Sequence, residues 1–174
     1  MVKKIIIFAA IVIIIIVGLT FGRDKAIDYY KKQTTNAVKK GNYQLAVDNY
    51  SKVVNILFSR SSSDYSTIAM LYYNNGNTEK AIENLNKAIK IDNKNSEAHK
   101  GLGIIKQDDG DLKGSIKELT LALKSNPKDI ESLLARSRAY RLLGEKDKAI
   151  SDLKQVQKID PKNPAAANAL QYLE

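Results

Sequence analysis

The stretch GNTEKAIENLNKAIKID, Gly76–Asp92, reads as a glycine turn followed by an amphipathic helix. Nearly the same phrase returns three times: GNYQLAVDNYSKVVNIL from Gly41, GDLKGSIKELTLALKSN from Gly110 and GEKDKAISDLKQVQKID from Gly144. The glycines are 35, 34 and 34 residues apart. Five residues after each stands a small side chain (Ala46, Ala81, Ser115, Ala149), and four further on a bulky one (Tyr50, Leu85, Leu119, Leu153). Three beyond that come Val53, Ala88, Ala122 and Val156. Steps of four and three place these side chains on one helical face, where small residues admit a neighbouring helix and bulky ones fill the gap. Upstream of each glycine lies a second helical segment, with Tyr30, Tyr65, His99 and Leu133 each eleven residues before it. Each unit is therefore a helix, a glycine-bearing turn and a second helix.

The period and pattern resemble the tetratricopeptide repeat, whose signature runs aromatic, Leu-Gly, Tyr, Ala, Phe, Pro over about 34 residues. The second unit, 62–95, carries Tyr65, Ile68, Ala69, Tyr72, Ala81 and Leu85; the third, 96–129, keeps Leu102, Gly103 and Pro127; the fourth, 130–163, keeps Tyr140, Ala149, Leu153 and Pro161. The first, 27–60, is degenerate, with Gln33 and Thr34 in place of Leu-Gly and Phe58 in place of Pro. The resemblance spans residues 27–163 and implies an all-α solenoid of helix-turn-helix units winding as a right-handed superhelix; the apolar run near the N-terminus adds a single transmembrane helix before it. One extra residue and the run Ser59–Asp64 separate the first two units; its serines suit helix N-caps, and Ser62 is expected to be exposed in that joint. Residues 164–174 begin with Pro164 and present Leu170 and Leu173 three apart, which suits a short helix capping the last apolar face.

The composition supports a folded chain. Of its 174 residues 44% are hydrophobic and 27% charged. With no cysteine and a single histidine, disulfides, zinc clusters and thiol or Ser-His nucleophiles have almost no raw material. The net charge of +9 is unevenly placed: +3 over residues 1–25, +4 over 26–60, 0 over 61–129, +3 over 130–163 and −1 over 164–174. A nucleic-acid binder needs a continuous basic stripe, and the neutral middle units break it. Basic excess near the N-terminus fits anionic lipid headgroups better.

The opening MVKKIIIFAAIVIIIIVGLTFGRDK sets an apolar run, Ile5–Phe21, between Lys3-Lys4 and Arg23. As a helix those 17 residues measure about 26 Å, close to the hydrocarbon thickness of a bilayer. The run is longer than the apolar core of a cleaved signal, Thr20-Phe21-Gly22 is a poor cleavage site, and no cysteine follows for lipid attachment. Residues 1–25 therefore read as an uncleaved signal anchor of a single-pass membrane protein. Lys3 and Lys4 place the N-terminus inside, whereas Arg23, Lys25, Lys31 and Lys32 argue for the reverse. The short basic tail ahead of a long apolar run is the form of an export signal, which puts the repeats on the extracytoplasmic side.

In the tetratricopeptide family the concave face comes from the second, fifth, ninth and twelfth positions of each first helix. By that resemblance the face here comprises Asp28, Lys31, Thr35 and Val38, then Ser63, Ser66, Met70 and Tyr73, then Glu97, Lys100, Ile104 and Gln107, then Glu131, Leu134, Arg138 and Arg141. The expected partner-binding groove is Met70, Tyr73, Lys100, Ile104, Gln107, Leu134, Arg138 and Arg141, whose apolar and cationic side chains suit a peptide of some acidic character. The carboxylate clamp of heat-shock co-chaperones is absent: Lys31 is paired with Thr35, and Thr67, Glu97 and Gly101 stand at the remaining clamp positions tested. His99 occupies an aromatic packing position and reads as structural. The DDGD run, Asp108–Asp111, lacks the alternating donors and the glutamate of a calcium loop, so it reads as the inter-helix turn.

No acid, base and nucleophile come together, so an enzyme is not expected, and neither cofactor nor metal is called for. The expected function is a membrane-anchored adaptor that holds a segment of a partner protein in its concave groove and supports assembly of a membrane-associated complex. The alternative is a self-associating structural scaffold at the membrane.

Overall fold

A computed structural model of the chain describes the backbone of residues 2–57 and 60–173 and the side chains of residues 20–56 and 60–173. Nine helices and no strand occur among the described residues. Chain contacts divide the molecule into two units, Met1–Arg60 and Ser61–Glu174.

In the first unit, α1 (Val2–Lys39) packs along α2 (Tyr43–Leu57). The seam is small and apolar: Ile27 and Ala37 from α1 and Ala46, Val47, Val53 and Val54 from α2 are all buried. The apolar run at residues 5–21 belongs to α1, but of its side chains only Thr20 and Phe21 fall within the described residues. Among the described residues no helix is long and apolar enough to cross a membrane.

In the second unit, α3 (Ser62–Asn74) pairs with α4 (Thr78–Ile91), α5 (Ser96–Asp108) with α6 (Leu112–Ser125), and α7 (Ile130–Leu142) with α8 (Lys146–Ile159); α9 (Pro164–Leu173) packs on α8. Glycine makes the turns. Gly76 has φ +79°, in the left-handed region that a side chain disfavours, and from there the Gly76 and Asn77 amides donate to the carbonyls of Tyr73 and Tyr72, each at 2.9 Å. Asn77, Asn95, Asp111 and Asp129 then cap the helices that follow, accepting from the amides of Lys80, Ala98, Gly114 and Ser132.

The repeated face lies inside. Ala81, Ser115 and Ala149, Leu85, Leu119 and Leu153, and Ala88, Ala122 and Val156 are each 1% exposed or less. Ala81, Leu85 and Ala88 belong to one apolar cluster, Leu153 and Val156 to a second. One joins α3, α4 and α5 through Ala69, Leu85, Leu102 and Ile105; the other joins α7, α8 and α9 through Leu133, Leu153, Val156 and Leu170.

The serine run before α3 behaves differently from an open joint. Ser61 caps α3 in a reciprocal box with Asp64, whose carboxylate takes the Ser61 amide at 2.9 Å. Ser62, expected exposed, is buried: its hydroxyl donates to the Ala88 carbonyl at 2.9 Å and accepts from Asn95. The first turn of α3 is thereby pinned to the end of α4 and the cap of α5.

Candidate functional site

The first helices α3, α5 and α7 run in succession, and the side chains assigned to the groove fall into two sets. The first set ties these helices to one another. The Tyr73 hydroxyl donates to Asp108, 35 residues on, and so links α3 to the end of α5. That bond to a carboxylate, together with burial and the charges of Asp108 and Asp109, raises the phenol from 10.0 to about 12. Gln107 donates to the Ala135 carbonyl at 3.2 Å, linking α5 to α7.

Lys100, itself buried, is the centre of an ionic cluster whose two glutamates are exposed. Its ammonium lies 2.9 Å from Glu97, 3.0 Å from Glu131 and 3.5 Å from Asp129. Burial works against its charge, but the hydrogen bonds to Glu97 and Glu131 and the charge of Asp129 outweigh it, and the amine is held above the ordinary lysine range. Lys100 was expected to offer a cation to a ligand. Three carboxylates already occupy it, so in this structure it fastens α5 to the first turn of α7. Met70 lies against Gly101 of α5, where its sulfur would be 3.1 Å from an added Cβ. Ser66 is buried as well, its hydroxyl donating to Asn95 at 3.2 Å.

The second set borders open space. A cleft of about 620 Å³ lies between α5 and α7, lined by Ile104, Gln107 and Asp108 on one side and by Lys128, Leu134 and Arg138 on the other. A smaller hollow of about 120 Å³ follows, where Leu134, Arg138 and Arg141 face Ala165, Ala169 and Leu173. Leu134 and Arg138 border both. Neither Arg138 nor Arg141 has an ion-pair or hydrogen-bond partner among the described residues, and both are exposed. Their neighbour Arg136 contrasts with them: its Nε and Nη2 donate to the two oxygens of Asp152 at 2.8 and 2.7 Å, and it is turned into the α7–α8 seam.

Sequence reasoning overlooked Lys128 and the contribution of α9. Residues 164–174 read as a cap because they are apolar, and apolarity alone does not distinguish a cap from the wall of a hollow. His99 is buried with both ring nitrogens engaged, Nδ1 2.8 Å from Glu118 and Nε2 3.1 Å from the Asn93 carbonyl. Of the DDGD run, Asp108 ends α5, Gly110 takes φ +82° and Asp111 caps α6. Among the described residues no cluster of three or more His, Cys, Asp or Glu could hold a metal ion.

A stack of paired helices joined by left-handed glycines is the architecture of a tetratricopeptide-type repeat. Residues 70–110 match the family model described as TPR repeat, and residues 130–163 the one described as tetratricopeptide repeat. The chain carries tetratricopeptide repeats. Among curated proteins it is similar to Protein CTR9 homolog of Arabidopsis thaliana, 31% identical over 109 residues, which are 60% of this chain and 10% of that protein. The chain spans a tenth or less of the length of the curated relatives it matches. A structure of pilF from Pseudomonas aeruginosa superposes with a TM-score of 0.75 at 18% identity, over 87% of this chain and 69% of that one. YrrB, described as a TPR protein with an unusual peptide-binding site, superposes with a TM-score of 0.64 at 17% identity, over 85% of this chain and 76% of that one. At these identities the likeness is one of fold.

Proposed function

We propose that this chain is an adaptor that holds a peptide segment of a partner protein on the face formed by α5, α7 and α9, with Ile104, Leu134, Arg138 and Arg141 as its contact residues. The observation that carries this reading is the open cleft of about 620 Å³ between α5 and α7, which combines the apolar Ile104 and Leu134 with Arg138, unpaired among the described residues. A groove mixing aliphatic side chains with a few polar ones suits an extended or helical segment. The peptide-binding site attributed to YrrB on the same fold supports the choice of ligand class. Tyr73, Lys100 and Gln107 act as ties within the stack and Met70 packs beneath it, so none of the four is a contact residue in this proposal.

The apolar run at residues 5–21 anchors the adaptor in a membrane, with the repeats on the extracytoplasmic side, where tethering raises their local concentration near membrane partners and favours assembly of a complex there. A photo-crosslinking amino acid in place of Ile104 in the full chain should form adducts that Leu134→Arg abolishes, while the same group in place of the exposed Lys113 should form none. Equal labelling from both positions would overturn the reading. Sidedness is read separately: Lys94→Cys, in an exposed turn, should react with a membrane-impermeant maleimide on intact cells, and reaction only after lysis would place the repeats inside.

A further inference from the structure

We infer that the segment held by this face is acidic and carries an aliphatic side chain beside its carboxylates, docking where α7 faces α9. The inference rests on the peptide-adaptor reading above and specifies its ligand. The charged groups lining the cleft differ in whether they already have partners. Asp108 accepts from the Tyr73 hydroxyl. Asp129 accepts from the Ser132 hydroxyl at 2.5 Å and lies near Lys100, and Glu131 is 3.0 Å from Lys100. Every carboxylate lining the two hollows is thus engaged.

The cations are not. Lys128, Arg138 and Arg141 line the hollows, are exposed, and have no carboxylate or hydrogen-bond partner among the described residues. Lys128 stands before α7, whereas Arg138 and Arg141 lie in its C-terminal half and line the hollow against α9, which has no carboxylate in its walls, so the charge there is positive. Arg138 and Arg141 are three residues apart on one helix, so their Cβ atoms are about 5–6 Å from each other. Each guanidinium can take a carboxylate through two parallel N–H donors.

The hollow of about 120 Å³ that the two arginines line has Leu134, Leu153, Ala165, Ala169 and Leu173 in its walls beside them. That is room for one aliphatic side chain and not for a folded element. A simple anion would leave the hollow wet, and a basic segment would be repelled from its rim. An anionic membrane surface fits less well, because exposed Glu131 and its neighbour Asp129 on the same side of α7 would be pressed against the headgroups.

The test uses the full chain in phosphatidylcholine nanodiscs and three fluorescein-labelled peptides in a Gly/Ser frame. The first carries a leucine followed by two glutamates, the second an alanine in place of the leucine, the third two lysines in place of the glutamates. The first should bind best by fluorescence polarisation and weaken as salt is raised. The double variant Arg138→Gln/Arg141→Gln should weaken it about ten-fold or more, the scale of lost charge-assisted hydrogen bonds, while Lys113→Gln leaves it unchanged.

Equal binding of the acidic and lysine peptides, an unaffected double variant, or no binding of the acidic peptide each overturns the inference. So does loss of the acidic peptide's binding in phosphatidylglycerol nanodiscs with the arginines then protected by lipid, which would assign them to the membrane. A random peptide library crosslinked through position 104 separates this failure from that of the parent reading. Recovery of neutral or basic peptides leaves peptide holding in place and removes only the acidic specificity, whereas recovery of none removes both.

Discussion

Arg136 Nε and Nη2 grip both oxygens of Asp152, at 2.8 and 2.7 Å, across the seam between α7 and α8. Both side chains are largely buried, and the Arg136 Nη1 also donates to Thr120 at 3.1 Å. Asp152 holds the guanidinium above its usual range through these hydrogen bonds. Removing one member of a buried pair strands the other's charge. Asp152→Ala should therefore lower the unfolding free energy by about 3 kcal/mol or more. Arg136→Met/Asp152→Leu should lose less than the two single changes combined, and a double-mutant cycle in urea reads the difference.

Two glycines of α5 separate tight packing from adaptable packing. A Cβ at Gly103 would sit 2.6 Å from Cγ and 2.9 Å from Cδ2 of Leu119, with the Leu119 backbone nitrogen 3.3 Å away. Since the clash reaches the branch point and the backbone, Gly103→Ala should destabilise by about 1–3 kcal/mol. At Gly101 an added Cβ meets only the outer atoms of Leu85 and the Met70 sulfur, at 2.9 Å and beyond. Those atoms can move, and alanine gains about 0.5–1 kcal/mol of helix propensity, so Gly101→Ala should stay close to neutral. Thermal melts of the two variants side by side check the contrast.

Ser115 stands where the other units have Ala46, Ala81 and Ala149. It is fully buried, and its hydroxyl has no hydrogen-bond partner among the described residues. A buried, unsatisfied hydroxyl costs about 1–3 kcal/mol, and alanine fits the same space in the neighbouring units. Ser115→Ala should raise the urea midpoint, with a gain of about 1 kcal/mol and an unchanged denaturant slope.

Alkaline pH should loosen the stack through Tyr73 and Lys100. In the folded chain the Tyr73 phenol keeps its proton up to about pH 12, against 10.0 for the free group, because its hydroxyl donates to Asp108. A raised folded value means that the proton favours the folded state. The contribution is complete below about pH 10, declines as the unfolded phenol ionises, and is gone once pH passes about 12. Lys100, also held above its usual range, adds to the loss in the same direction. Melting temperature should fall between those limits, and Tyr73→Phe should flatten the fall. A tyrosinate absorbance titration should lose its most alkaline component in the same variant.

Much of the fold could be read before any coordinates, because the information sits in short-range geometry. The glycines at 41, 76, 110 and 144 recur where a left-handed turn is needed, and all four have φ between +70° and +82°. The small and bulky positions that follow them face the core for the same reason. The groove was legible only as a register. Position along α5 puts Lys100 and Gln107 on the face expected to form the groove, but whether they meet solvent or protein depends on what the next element offers. There the turn before α7 supplies Asp129 and Glu131, and the Ala135 carbonyl is open to Gln107. Arg138 and Arg141 have no such partner among the described residues. Ser62 was misjudged on the same principle, since polarity suggested exposure while two neighbouring elements supplied it with a carbonyl acceptor and an amide donor.

The ties between successive first helices bear on how the second unit comes apart. Tyr73 reaches Asp108, Lys100 reaches Glu131 and Gln107 reaches Ala135, spans of 28 to 35 residues, so each clasp closes on the next pair and none skips one. Cohesion is therefore a chain of adjacent couplings with no long loop to close. Pulled from its C-terminal end, this unit would yield one hairpin at a time, with α9 leaving first. Unfolding would then proceed as a ladder of force steps rather than as one rupture.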